Sequence, residues 1–128
     1  MTSNNNENVM ILEDIIDISK HLSEFLRGYQ LHSKIFYEGQ SALEYCQKND
    51  PLEIKLIITD LHMPLMDGFT FIENIQKSEL WKDIPIIIHS SLNSLASRTR
   101  AEKLGVKEYV EKFNYDRLSI ILSKFMNL

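Results

Sequence analysis

Apolar residues along this chain fall into two patterns that take turns. Short runs stand at 9–12, 31–37, 56–59, 86–88 and 109–110. Three of them are unbroken rather than alternating, which predicts strands buried on both faces of a parallel sheet. Between the runs the spacing turns helical. Ile15, Ile18, Leu22, Phe25 and Leu26 share one face of a first helix, and Gly28 stops it. Ala42, Leu43 and Cys46 mark a second helix. Phe69, Ile72 and Ile75 mark a third, with Asp67 as its cap, and Leu118, Ile121, Leu122 and Phe125 mark the last. The segment from Asn93 to Leu104 offers only Leu95, Ala96, Ala101 and Leu104 among Arg98, Arg100, Glu102 and Lys103. So thin a stripe predicts a fourth helix that is loosely held and able to move. Five strand–helix units with short connections predict an α/β fold, one five-stranded parallel sheet flanked by five helices. Residues 1–8 hold nothing apolar after Met1 and are predicted to form a flexible lead-in, leaving 9–128 as the domain.

Composition acts mainly by exclusion. At 128 residues the chain is one domain with enough bulk for a core of its own. A formal net charge of -4, from 14 basic and 18 acidic residues, argues against direct binding of nucleic acid. The single cysteine, Cys46, excludes an intramolecular disulfide and a thiolate zinc cluster, and its apolar neighbours make it core filler. No apolar run approaches the ~20 residues of a membrane span and no signal peptide opens the chain, so a cytoplasmic location without membrane contact is expected.

In an open parallel sheet, ligands bind beyond the carboxyl ends of the strands. Glu13 and Asp14 follow the first predicted strand and Asp60 the third, Ser90 and Ser91 follow the fourth, and Lys112 follows the fifth. Each has an ordinary reading as a helix cap, strand-end turn residue or solvated charge. Their joint placement on one rim is the feature that points to chemistry. Carboxylates ~4 Å apart repel by roughly 1–4 kcal/mol in surface-like dielectric, so a cation must offset them, and hard oxygen ligands favour Mg²⁺.

These residues resemble the receiver domains of two-component response regulators, the CheY-like fold. The most specific stretch is Leu56-Ile-Ile-Thr-Asp60-Leu-His-Met-Pro-Leu-Met-Asp-Gly68, supported by Glu13-Asp14, by Pro85-Ile-Ile-Ile-His-Ser90, by Gly105, and by Tyr109 three residues before Lys112. The resemblance implies strand order 2-1-3-4-5. It implies that Asp60 accepts a phosphoryl group from a histidine kinase or phosphotransfer protein. It further implies that Glu13, Asp14, Asp60 and the backbone carbonyl of His62 hold Mg²⁺, and that Lys112, the Ser90 hydroxyl and the Ser91 amide bind phosphoryl oxygens. Gly68 and Pro64 shape the adjacent loop. Ser90 and Tyr109 are the implied switch pair: as Ser90 moves toward the phosphoryl group the Tyr109 ring goes from exposed to buried. A downstream protein then reads the fourth helix, last strand and last helix. Such a domain is a switch and not an enzyme in its own right. His-Ser-Ser-Leu after the fourth strand, with Lys112-Phe113, is also similar to the receiver half of CheV-type chemotaxis coupling proteins, which suggests a chemotaxis pathway.

The chain departs from the family pattern in four respects. Phe113 follows Lys112 where most receivers carry proline, and Glu13 stands where aspartate is commoner. His62 and Leu92 occupy positions that, in the family this chain resembles, tune dephosphorylation. Trp81 lies at the end of the third predicted helix, away from the site, packed or half exposed. Two other readings of the rim compete. A haloacid-dehalogenase-like phosphatase would need a second aspartate at position 62, which is His62. A transition-metal site on His62 and His89 fails because strand alternation sends His89 to the face opposite Ser90, where it is a packed core histidine. A phosphorylation-independent scaffold remains as the alternative function.

Overall fold

The computed structural model describes residues 7–127. Its elements alternate throughout: β1 (Val9–Leu12), α1 (Ile16–Arg27), β2 (Ser33–Phe36), α2 (Gly39–Lys48), β3 (Leu56–Thr59), α3 (Gly68–Ile75), β4 (Ile86–Ser90), α4 (Leu95–Lys103), β5 (Glu108–Glu111) and α5 (Tyr115–Met126). The sheet is parallel in the order β2-β1-β3-β4-β5, as the resemblance implied.

The unbroken apolar runs have the expected cause. Val9, Ile11, Leu56, Ile58, Ile87 and Val110 pack on one side against Leu22 and Leu26 of α1 and Leu118, Ile121 and Leu122 of α5. Met10, Leu12, Ile57, Ile86 and Ile88 pack on the other against Ala42, Leu43 and Cys46 of α2 and Phe69, Ile72 and Ile75 of α3. Every residue of β1, β3 and β4 is buried, so alternation has no solvated face to show. Burial pushes the Cys46 thiol up to about 12, which leaves it protonated and unreactive, as core filler should be. No helix of the described residues is long and apolar enough to cross a membrane.

Several boundaries differ from expectation. The predicted lead-in over 1–8 lies mostly outside the described residues, but Asn8 is tied down: its N–H donates to His32 O at 2.8 Å and its Oδ1 accepts from His32 N–H at 3.0 Å. Ile15 does not join the buried face of α1. It is the residue before the first turn, is 48% exposed, and the helix buries Ser19, Leu22 and Leu26 instead. The second run narrows to the half-buried edge strand β2, while β4 and β5 extend past their apolar residues because ladder bonding continues to Ser90 and Glu111. Helix α3 is capped by Asp67 as predicted, with its side chain accepting from Thr70 N–H at 2.8 Å, but ends at Ile75. Trp81 therefore lies beyond the helix. It is fully buried, with Nε1–H donating to Asn49 O at 2.9 Å. Helix α4 is as thin as predicted: it buries only Ser97 and Ala101, and Leu95 is 81% exposed. Its cap is Ser94, whose hydroxyl accepts from Ser97 N–H, and neither Ser90 nor Ser91 caps it.

His89 lies on the sheet face opposite Ser90, 1% exposed, with its ring near Tyr115 of α5 and its Nε2 accepting from Phe113 N–H at 3.3 Å. Burial first, and the Lys112 ammonium second, lower the imidazole from 6.5 to about 4, against a smaller opposing pull from Asp60. The folded protein holds this histidine neutral while the unfolded chain protonates it near its ordinary value. Its contribution to stability is therefore whole above pH 6.5 and lost as pH falls toward 4, a difference of ~3 kcal/mol over that interval. Urea unfolding from pH 4.5 to 7 should show wild type losing stability more steeply than His89→Gln. Parallel curves for the two proteins would contradict this.

Candidate functional site

The site is built by strand ends. Because β1 and β3 are paired in register, with Asp60 N–H donating to Leu12 O at 2.9 Å, the residues just past each strand meet at one edge. These are Glu13 and Asp14 from β1 and Asp60 from β3. The ladder also places Glu111 beside Ser90, so Lys112 emerges next to them from β5, its own N–H bonded to Ser90 O at 3.1 Å.

Asp60 is 3% exposed, and both carboxylate oxygens are engaged. Oδ1 accepts from the N–H groups of Leu61 at 2.7 Å and His62 at 3.4 Å, and Oδ2 accepts from Lys112 Nζ at 2.8 Å. The same ammonium reaches Glu13 Oε1 at 3.1 Å, and Glu13 Oε2 turns back to accept from Ile15 N–H at 3.1 Å. Carboxyl oxygens of Glu13, Asp14 and Asp60 lie within 4.8 Å of one another. At that separation two ionised carboxylates repel by about 3 kcal/mol in a partly screened interior. Burial, and then Asp60, hold the Glu13 carboxyl above its usual range despite the opposing Ile15 N–H and Lys112. Burial alone would depress Lys112, but its bonds to Asp60 and Glu13 outweigh that and raise it. The ammonium is held charged.

Three oxygen donors of this kind suit a hard divalent cation, since Glu13, Asp14 and Asp60 supply carboxylates and Lys112 offsets only part of their charge. The loop after Asp60 is pressed close: a Cβ at Gly68 would fall 2.2 Å from Asp60 O, so only glycine fits there. Its N–H closes the loop on Leu61 O at 3.0 Å. The His62 side chain is exposed, and its N–H faces the acid.

Ser90 and Ser91 are brought to the same rim, but differently. The Ser90 side chain is fully buried, and its hydroxyl accepts from Leu92 N–H at 3.2 Å; Ser91 is exposed. Tyr109 is half-buried. Its hydroxyl donates to Leu92 O at 2.5 Å, shares a hydrogen bond with Ser97 Oγ at 3.0 Å, and the Arg98 guanidinium lies 4.6 Å from its ring centre. The N–H and the carbonyl of Leu92 thus connect Ser90 to Tyr109, and Tyr109 in turn reaches the first turn of α4. In the sequence Leu92 stood out only as one of two positions that tune dephosphorylation in the family, and Ser97 not at all. The spacing Ser94-x-x-Ser97 was the available signal, since it marks a helix start with a hydroxyl turned inward.

A sequence model of the response regulator receiver domain matches residues 9–122. The chain belongs to that family. It is 28% identical over 120 residues to chemotaxis protein CheV2 of Helicobacter pylori, covering 93% of this chain and 38% of the relative. The chain therefore spans well under half the length of that curated relative. Among solved structures it resembles chemotaxis protein CheY4 of Vibrio cholerae, with TM-score 0.82 and 25% identity over 93% of this chain and 98% of the other. It also shares its fold with the receiver domain of sensor histidine kinase PA1611 from Pseudomonas aeruginosa, solved with a magnesium ion in its active site cleft, at TM-score 0.81 and 19% identity over 96% and 99% of the two chains. The chain is thus a CheY-like receiver with CheV resemblance, a switch module of two-component signalling.

The burial of the cluster makes its energetics testable without any phosphodonor. Lys112→Met strands two carboxylates whose side chains are each 2% exposed, and should lower unfolding stability in urea, in chelator-containing buffer, by about 3 kcal/mol. Adding Asp60→Asn to that variant should restore much of the loss, because Glu13 then faces no second charge from Asp60. A double variant no more stable than Lys112→Met would show that the carboxylates do not repel as described.

Proposed function

We propose that Asp60 is the phosphoacceptor of a signalling switch. The observation that carries this reading is the Asp60 carboxylate itself: buried at the strand ends, one oxygen held by two backbone N–H groups and the other by the Lys112 ammonium. In the reaction an Asp60 oxygen bonds to phosphorus as the P–N bond of a kinase's or phosphotransfer protein's phosphohistidine breaks, and the freed imidazole takes up a proton. Phosphoryl transfer of this kind needs positioning and charge neutralisation more than covalent help. Lys112 supplies a fixed positive charge for one phosphoryl oxygen. The Ser90 hydroxyl and the Ser91 amide donate to the others. Glu13, Asp14, Asp60 and the His62 carbonyl are the groups that would hold Mg²⁺, which supplies the remaining neutralisation when bound.

The signal leaves through Ser90. Turning its hydroxyl toward a phosphoryl oxygen gives up the bond from Leu92 N–H, and the Leu92 carbonyl is the group that holds the Tyr109 hydroxyl. Tyr109 and Ser97 then rearrange together, and α4 moves with them at low cost because it buries so little. The α4–β5–α5 surface is where a downstream protein reads the change. The CheV and CheY4 likenesses make chemotaxis the favoured pathway.

Intact-protein mass spectrometry after incubation with acetyl phosphate tests the reading. Wild type should gain one phosphoryl adduct that requires Mg²⁺, and Asp60→Asn should gain none. Wild type that stays unmodified, with acetyl phosphate and with histidine kinases alike, would leave a phosphorylation-independent scaffold as the function.

A further inference from the structure

Lys112 delivers its ammonium to Asp60 and Glu13 on a flexible four-carbon stem, so its aim depends on how its backbone is fixed. Two consecutive peptide N–H groups are tied to β4. That of Lys112 donates to Ser90 O at 3.1 Å, at the end of the ladder. The next, of Phe113, lies past the end of β5 and donates to the Nε2 of His89 at 3.3 Å. Phe113 has a φ of 71°, a left-handed conformation that a phenylalanine does not prefer, and its side chain is 60% exposed, so packing of the ring does not hold it there. Two further bonds, Asn114 N–H to Glu111 O and Tyr115 N–H to Phe113 O, close the turn on itself. His89 is the side chain that fastens the turn to the sheet.

We infer that His89 is a positioning residue for Lys112, supplying the acceptor that a loop with phenylalanine at position 113 requires and so holding the ammonium on Asp60. A proline there would carry no N–H and would need no acceptor. Phenylalanine brings a donor where the chain leaves the sheet, and a neutral imidazole from the adjacent strand accepts from it. Burial against α5 keeps that imidazole neutral, and in its Nδ1–H tautomer Nε2 has a lone pair to offer. The consequence for phosphorylation rests on the reading of Asp60 as phosphoacceptor; the latch itself does not.

Two measurements separate these. In ¹⁵N-labelled wild type, the Phe113 amide nitrogen should show a through-hydrogen-bond coupling to His89 Nε2, and its absence together with a protonated Nε2 would overturn the latch. In phosphorylation by acetyl phosphate at saturating Mg²⁺, His89→Leu should slow adduct formation by about tenfold, with the Mg²⁺ concentration for half-maximal rate unchanged. His89→Gln, whose amide oxygen can accept at a similar reach, should restore most of the rate. His89→Leu as fast as wild type, or His89→Gln no faster than His89→Leu, would overturn the positioning role. Wild type that forms no adduct defeats the phosphoacceptor reading, and the coupling measurement then decides the latch alone. That measurement also decides it if His89→Leu fails to fold.

Discussion

Glu13 and Asp60 share a single ammonium, and all three side chains are almost entirely removed from water. Taking ionised groups out of solvent is costly unless each oxygen and each N–H finds a partner, and here the partners come from backbone as well as side chain. Leu61 and His62 amides serve Asp60, and the Ile15 amide serves Glu13. That requirement accounts for the shape of the rim. β1 and β3 must end level with one another, β5 must run two residues past that level, the loop after Asp60 must approach closely enough to exclude any side chain at Gly68, and Lys112 must be launched from a fixed turn. The sheet and its two apolar layers supply the stability; the ion cluster supplies a geometry.

The same cluster is poised and not merely satisfied. One ammonium stands against three carboxyl groups, which leaves an excess of negative charge at a place where oxygen ligands converge. A divalent cation relieves that excess. On the other side of the rim, Ser90, Leu92, Tyr109 and Ser97 form a line of hydrogen bonds ending in the helix with the least buried surface. A rearrangement there has little packing to disrupt. Rigid core and loosely seated α4 are two outcomes of one apolar pattern, generous along the strands and sparse between Asn93 and Leu104.

Most of the fold was legible in the sequence because strands buried on both faces leave unbroken apolar runs, and β1 and β3 coincide with theirs. The ends of β4 and β5 were not, because His89, Ser90, Glu108 and Glu111 join the ladder through backbone bonds to which polarity is no guide. Ile15 misled for the opposite reason: it keeps helical spacing with Ile18 and Leu22 but precedes the first turn. At the site, the acidic residues and Lys112 could be placed from their positions just past the strand ends, and Asp60 by its resemblance to receivers. No pattern revealed how partners are shared. The double contact of Lys112, the bond from Phe113 to His89, and the Leu92 peptide groups serving both Ser90 and Tyr109 depend on register across strands far apart in sequence.

The central claim, that Asp60 is the group that receives the phosphoryl, is tested most directly by trapping the acyl phosphate chemically. Borohydride reduces an acyl phosphate to an alcohol and leaves free carboxylates untouched. Wild type treated with acetyl phosphate and Mg²⁺, reduced, digested and sequenced by tandem mass spectrometry should carry that alcohol at position 60. Reduction at Glu13, Asp14 or any other carboxyl group, with position 60 intact, would contradict the account.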